Sequence, residues 1–188
     1  MPEADQTPDL DVVDLLLAQH AQIEELFTLV AGTTGDARRE AFEELVRLLS
    51  VHETAEEELI HPLARTLVDG GDARVEDRLA EEHQAKETLV ELVRADLDGD
   101  GFDTALLLLR DAVLTHARYE ERYEFNYLRA KVPTDRLRRL AGAFRAAEAV
   151  APTRPHPGAE SATKNVVAGP ALAVADRVRD AIRDHLRR

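Results

Sequence analysis

The chain has 188 residues, 44% of them hydrophobic, and a formal net charge of −13 at neutral pH. That length suits one domain with an appendage and a core of ordinary size, and the acidic balance argues against phosphate backbones and anionic membrane faces as partners. With no cysteine, disulfides, thiol catalysis and thiolate metal sites are excluded, so any metal must be held by nitrogen and oxygen. Residues 1–11 are acidic and carry no basic region followed by a long apolar run, so neither a signal peptide nor a membrane anchor is expected, and the expected location is cytoplasmic.

The apolar residues are mainly Leu, Val and Ala, with no tryptophan, three tyrosines and five phenylalanines, a composition that favours helix. Thr7-Pro8-Asp9 reads as a helix start. The first helix should run to about Val30, with Val13, Leu16, Leu17, His20, Ile23, Glu24, Phe27 and Val30 on one face. After Gly32-Thr33-Thr34-Gly35, Asp36 is placed to cap a second helix whose inward face reads Phe42, Leu45, Leu49, His52, Glu56, Leu59 and Leu63. Pro62 predicts a kink or an early end. Asp72 or Asp77 should open a third helix with Leu79, His83, Glu87, Val90, Val93 and Leu97 on its stripe. Asp96-Leu97-Asp98-Gly99-Asp100-Gly101 imitates the start of a calcium loop, but its twelfth position is Leu107 where a bidentate glutamate is needed, so it reads as an acidic turn. Asp103 should cap a fourth helix with Leu106, Leu109, Val113, His116, Glu120, Tyr123 and Tyr127 inward, ending near Pro133. Leu137, Leu140, Phe144 and Ala147 suggest a short helix beyond it, followed by a Pro- and Gly-rich connection over 150–170 and a final helix bearing Leu172, Val178, Ile182 and Leu186. Val166 and Val167 suggest that this tail lies back on the bundle.

A helical hairpin is written twice. His52 with Glu56 returns 64 residues later as His116 with Glu120, and His20 with Glu24 returns 63 residues later as His83 with Glu87. A lone histidine on an apolar helical face is more often a hydrogen-bonded core residue than a ligand. Four histidines and four carboxylates at one level of a bundle are different, because leaving them partly paired costs several kcal/mol. A metal satisfies them together, as in carboxylate-bridged bundles.

The pattern H, HxxxE, H, HxxxE, carried by His20, His52, Glu56, His83, His116 and Glu120, resembles the hemerythrin-like proteins with an HHE cation-binding domain. Local wording is similar too: Leu17-Ala18-Gln19-His20, His52-Glu53 with Glu56-Glu57, Glu82-His83, and His116 with Glu120-Glu121. The resemblance covers roughly residues 10–132 and, with the helices read above, gives an expected all-α, up-down four-helix bundle over residues 1–132, followed by a C-terminal helical extension over 133–188. It also implies two iron ions with an oxo or hydroxo bridge, Glu56 and Glu120 as bridging carboxylates and the four histidines as terminal ligands. Glu24, Glu87 and Glu121 are further candidates to touch the metal or to hydrogen-bond its ligands, while Glu53, Glu57 and Glu58 read as a solvated face. His61 lies about 140° around an ideal helix from Glu56 and joins the set only if Pro62 distorts the chain. Tyr119 and Tyr123 are candidates to hydrogen-bond a ligand, with packing as the plainer role. His156 and His185 lie outside the bundle.

Oxygen-carrying hemerythrins have two histidines four apart on the third helix and an aspartate five after the histidine of the fourth; here those places hold Glu87 and Glu121. A more carboxylate-rich set favours ferric iron and turnover over oxygen carriage. The expected function is therefore handling of a small oxidant, hydrogen peroxide, nitric oxide or oxygen, through a dry pocket lined with Leu and Val, with peroxide- or nitric-oxide-consuming oxidoreductase activity as the enzymatic form. The alternative is binding or sensing of oxygen, nitric oxide or iron without turnover. Neither nucleic acid nor membrane is an expected partner, and a monomer is expected.

Overall fold

The computed structural model describes residues 10–67, 70–150 and 169–187, and contains only helices and their connections among them. Helix α1 (Val12–Gly32) begins later than Thr7-Pro8, which lies outside the described residues. Its start is fixed by a reciprocal cap: the Asp14 N–H donates to Asp11 and the Asp11 N–H donates to Asp14, both at 3.0 Å. Helix α2 (Gly35–Ala55) follows Thr34, and Asp36 lies in its first turn rather than at the cap. At Glu56–Ile60 the chain widens into a π-helical turn and continues as α3 (His61–Leu67). Helix α4 (Gly71–Arg94) follows Gly70, which takes a left-handed conformation and replaces the expected Asp72 or Asp77 cap. Helix α5 (Phe102–Glu120) starts after Gly101, also left-handed, and passes through a second π turn, Glu121–Phe125, into α6 (Asn126–Lys131). Thus α1, α2–α3, α4 and α5–α6 form the expected up-down four-helix bundle.

Buried apolar residues lie on either side of the middle of the bundle. One group gathers Ile23, Phe27, Leu45, Leu49, Leu89 and Leu106. The other gathers Leu16, Val51, Ile60, Phe125, Phe144 and Ile182. Two of those last residues belong to α7 (Thr134–Val150), packed on α1, and α8 (Gly169–Leu186), packed on α2 and α7. Val178 and Ile182 are fully buried there. Arg179 adds an ion pair to Glu58 at 2.8 Å. Val166, Val167, His156 and the side chain of Leu172 lie outside the described residues. No described helix is long and apolar enough to cross a membrane.

The acidic turn before α5 is organised by Arg38 of α2. Its guanidinium donates to the Leu97 carbonyl at 2.7 Å and to the Val30 carbonyl at 3.2 Å, and it pairs with Asp103, the residue expected as a cap. A side-chain cation thus gathers this loop's oxygens. Between α3 and α4 the helices approach so closely that a Cβ on Gly71 would run into the Ala64 and Arg65 carbonyls, 2.8 Å from the latter. Gly71→Ala is accordingly expected to cost about 1–3 kcal/mol by overpacking, and Ile182→Ala about 2–5 kcal/mol by leaving a void under α8. Urea unfolding checks both, and an unchanged midpoint for Ile182→Ala would show that α8 contributes nothing to the fold.

Candidate metal centre

Between the two apolar groups lies a layer of buried polar side chains. His20 comes from α1, His52 and Glu56 from α2 and its π turn, and His116 and Glu120 from α5. His20, His52, Glu56 and Glu120 present ligand atoms all within 4.8 Å of one another, and Glu56, Glu82 and His116 form a second such group. Glu56 belongs to both. Glu120 also reaches across, with one oxygen 3.5 Å from His20 Nε2 and the other 3.4 Å from His116 Nε2.

Each of the three histidines is held through its Nδ1. The His20 Nδ1–H donates to Glu121 Oε1 at 2.8 Å, that of His52 to Gln19 Oε1 at 2.9 Å, and that of His116 to Glu81 Oε2 at 3.1 Å. All three rings therefore turn Nε2 toward the centre, and the Nε2 atoms of His20 and His52 face each other at 3.1 Å. At that distance the two nitrogens share a proton when His20 is an imidazolium, and a metal ion can take that proton's place. Both oxygens of Glu56, both of Glu120 and Nε2 of His116 are buried without a hydrogen-bond partner. Each such orphan costs roughly 1–3 kcal/mol, and nitrogen and carboxylate donors in this number suit a first-row transition metal.

The electrostatics agree. Burial and then neighbouring His20 hold His52 well below the ordinary imidazole range, so it is neutral. Burial and the charge of Glu120 push Glu56 well above the usual carboxylate range. Burial opposes a charge on His116, but Glu120 and Glu81 outweigh it and raise the ring to about 11. Glu53 is pushed up to about 7 by burial, with Lys86 at 3.3 Å working against the rise.

Several expected site residues fall elsewhere. His83 is 75% exposed and Glu87 70%, the two lying 3.5 Å apart on the outer face of α4. The reason is register. The buried stripe of α4 is Val75, Arg78, Glu82, Ala85, Leu89 and Leu92, one residue out of step with the stripe through His83, so Glu82 takes the inward place. Glu24 likewise turns outward toward Arg110, at 3.7 Å, because α1 buries Ile23 instead. Tyr123 is largely exposed, and Tyr119 lies under the Arg78 guanidinium and accepts from Arg74 at 2.9 Å, so neither points at the cluster. Glu121 supports His20. Glu53 is buried, and Glu57 pairs with Lys86 at 2.6 Å, so the expected solvated face is partly covered. His185 is exposed.

His61 is buried, and the π turn accounts for it. The His61 N–H donates to the Glu56 carbonyl, five residues back. That wider turn returns residue 61 to the face of residue 56, where His61 Nε2–H donates to Glu82 Oε1 at 2.8 Å. The second π turn similarly brings in Glu124, fully buried with both oxygens unpartnered, and sends Tyr123 out. Helical spacing alone assigns no site role to Gln19, Glu81, Glu82 or Glu124. The heptad spacing through Arg78, Glu82, Ala85 and Leu89 was the available signal for Glu82. A cleft of about 700 Å³ opens onto His20, His52, Glu56 and His116. Its wall includes Glu53, Glu81, Glu91 and Asp111 beside leucines, which corrects the expectation of a dry pocket of Leu and Val.

An all-helical bundle with a buried histidine and carboxylate layer at mid-height is the architecture of a protein that holds cations between its helices. The chain belongs to the hemerythrin HHE cation binding domain family, which matches residues 11–128. It is similar to a DNA nickase of Nostoc sp., with 26% identity over 142 residues, covering 74% of this chain but only 40% of that protein. Its structure is similar to the crystal structure of a hemerythrin HHE cation binding domain-containing protein from Mycobacterium kansasii. That likeness has a TM-score of 0.66 at 19% identity, over 94% of this chain and 99% of the other.

Because Glu56 and His116 are both pushed toward their protonated forms, a metal that binds them must displace those protons. Affinity should therefore rise with pH for as long as His116 stays protonated in the metal-free protein, up to about pH 11. Calorimetric titration with Co²⁺ in buffers of different ionisation enthalpy is expected to show net proton release, and heats independent of the buffer would contradict it.

Proposed function

We propose that this protein binds a pair of iron ions and uses them to consume a small oxidant, hydrogen peroxide or nitric oxide. The observation that carries the reading is the pair of donor groups joined through Glu56, with the Nε2 atoms of His20 and His52 turned toward each other. In this reading His20, His52, Glu56 and Glu120 hold one ion, and Glu56, Glu82 and His116 hold the other. When bound, the irons supply one-electron steps between ferrous and ferric states.

The chain's own residues do the rest. Gln19, Glu81 and Glu121 orient the imidazoles. Glu82 in the place expected for His83 makes the set harder and more anionic, which favours the ferric state and works against a lasting oxygen complex. Leu49, Leu109 and Val113 line the cleft beside its acidic groups, giving small neutral molecules a route to the centre. The net charge of −13 disfavours nucleic acid as the substrate here, so the activity named for the Nostoc relative is not carried over.

Elemental analysis of the iron-loaded protein should give two irons per chain, and His52→Ala or His116→Ala should each lose iron. One iron per chain would reject the paired reading. Peroxide loss followed in wild type and Glu56→Ala, after removal of free iron, should fall about tenfold or more in the variant. Equal rates in both, or a long-lived oxygen adduct without turnover, would leave binding or sensing in place of catalysis.

A further inference from the structure

The C-terminal extension reaches the residues around the centre through Glu148. Glu148, near the end of α7, accepts a hydrogen bond from Gln19 Nε2 at 2.9 Å. Gln19 Oε1 in turn accepts from His52 Nδ1 at 2.9 Å. The direction of this chain is forced by chemistry. An ionised carboxylate only accepts, so Glu148 takes the amide NH₂ of Gln19; the amide oxygen is left facing His52, and the ring must put its proton on Nδ1. Nε2 is then a bare lone pair, 3.1 Å from His20 Nε2 and 3.4 Å from Glu56. Gln19 and His52 are both almost fully buried, so water does not substitute for the bond between them.

We propose that Glu148 is a positioning residue for the metal centre, fixing through Gln19 the tautomer in which His52 offers Nε2 as a ligand. The hydrogen-bond partner of a ligand histidine sets both its tautomer and its orientation. What is particular here is that the partner's own orientation is set from outside the four-helix bundle. Without an acceptor at position 148, the Gln19 amide is free to rotate by half a turn and present its NH₂ to Nδ1. His52 would then accept at Nδ1, carry its proton on Nε2, and point a donor at the place the ion occupies. The extension thus belongs functionally to the site, and the metal part of the claim rests on the proposed function above.

The test uses the full chain and three variants. Glu148→Gln retains an acceptor oxygen, Glu148→Ala removes it, and Glu148→Lys replaces it with a donor that turns the amide the other way. Imidazole ¹⁵N shifts of the metal-free proteins report the His52 tautomer directly and stand whether or not the iron reading survives. We expect the Nδ1–H form in wild type and Glu148→Gln, a mixture in Glu148→Ala, and the Nε2–H form in Glu148→Lys. Co²⁺ affinity, measured by competition with a chromophoric chelator, should follow the same order, falling about 10–100-fold across the series. Circular dichroism and unfolding midpoints show whether each variant keeps its fold, and position 148 is only half-buried. Nδ1–H in all four proteins, or an affinity loss in Glu148→Gln equal to that in Glu148→Ala, would overturn the assignment.

Discussion

Everything at the centre of this bundle depends on three imidazoles whose Nδ1 atoms are already committed. With Glu121, Gln19 and Glu81 accepting from those Nδ1–H groups, each ring has only Nε2 left to offer the interior. Glu56 and Glu120 repel as a pair of carboxylates unless one is protonated, and the layer relieves this by favouring a proton on Glu56 and on His116. A bundle could avoid the conflict by burying leucines. This one instead assigns to its middle a set of groups that hold protons or can hold a metal, and it confines apolar packing to the two sides, around Phe27 and Leu45 on one and Leu16 and Phe125 on the other.

The π turns let a single helix serve that layer twice. In an α-helix, His52 and Glu56 stack one turn apart, but the next residue on their face would be Leu59 or Ile60, and His61 would look away. Inserting the wider turn at Glu56–Ile60 moves His61 beneath Glu56 and onto Glu82. The same device at Glu121–Phe125 turns Glu124 and Phe125 inward, and Phe125 then stacks on the His20 ring with centroids 5.6 Å apart. Such turns recur at functional sites because they re-aim side chains without ending the helix. Pro62, expected to kink or stop the chain, follows the first π turn and lies within α3.

How far the site was legible follows from these devices. The HxxxE spacing makes a strong statement on any regular helix, and His52, Glu56, His116 and Glu120 lie together in the cluster accordingly. His20 is similarly placed by its stripe. Helix α4 was ambiguous because two apolar stripes run along it one residue apart, through Leu79, Val90 and Val93 or through Val75, Ala85, Leu89 and Leu92, and periodicity alone does not choose between them. The repeat that aligned His83 with His20 favoured the stripe that the structure turns outward. His61 was misplaced for a different reason, since ideal geometry was applied across a turn that is not ideal. Gln19, Glu81 and Glu148 were invisible for a third: their roles depend on contacts across the bundle, and nothing in their local spacing announces them.

The acidic run after His52 shows how the layer and the extension depend on each other. Glu53, Glu56, Glu57 and Glu58 lie within a turn and a half of helix, a density of negative charge that would repel itself if left alone. Each receives different treatment. Glu56 is buried and held toward its neutral form, Glu53 and Glu57 share Lys86 of α4 at 3.3 and 2.6 Å, and Glu58 pairs with Arg179 of α8 at 2.8 Å. Arg179 also approaches Glu57, at 3.7 Å. Exposed pairs of this kind contribute little singly, about 0–1 kcal/mol, but here they dispose of charge that would otherwise raise the cost of ionising Glu56. The same helix α8 buries Val178 and Ile182 in the apolar group that holds Ile60, while its arginines neutralise the outer side of the π turn. The π turn that re-aims His61 is thus tied by ion pairs to the extension, as the tautomer of His52 is set from it.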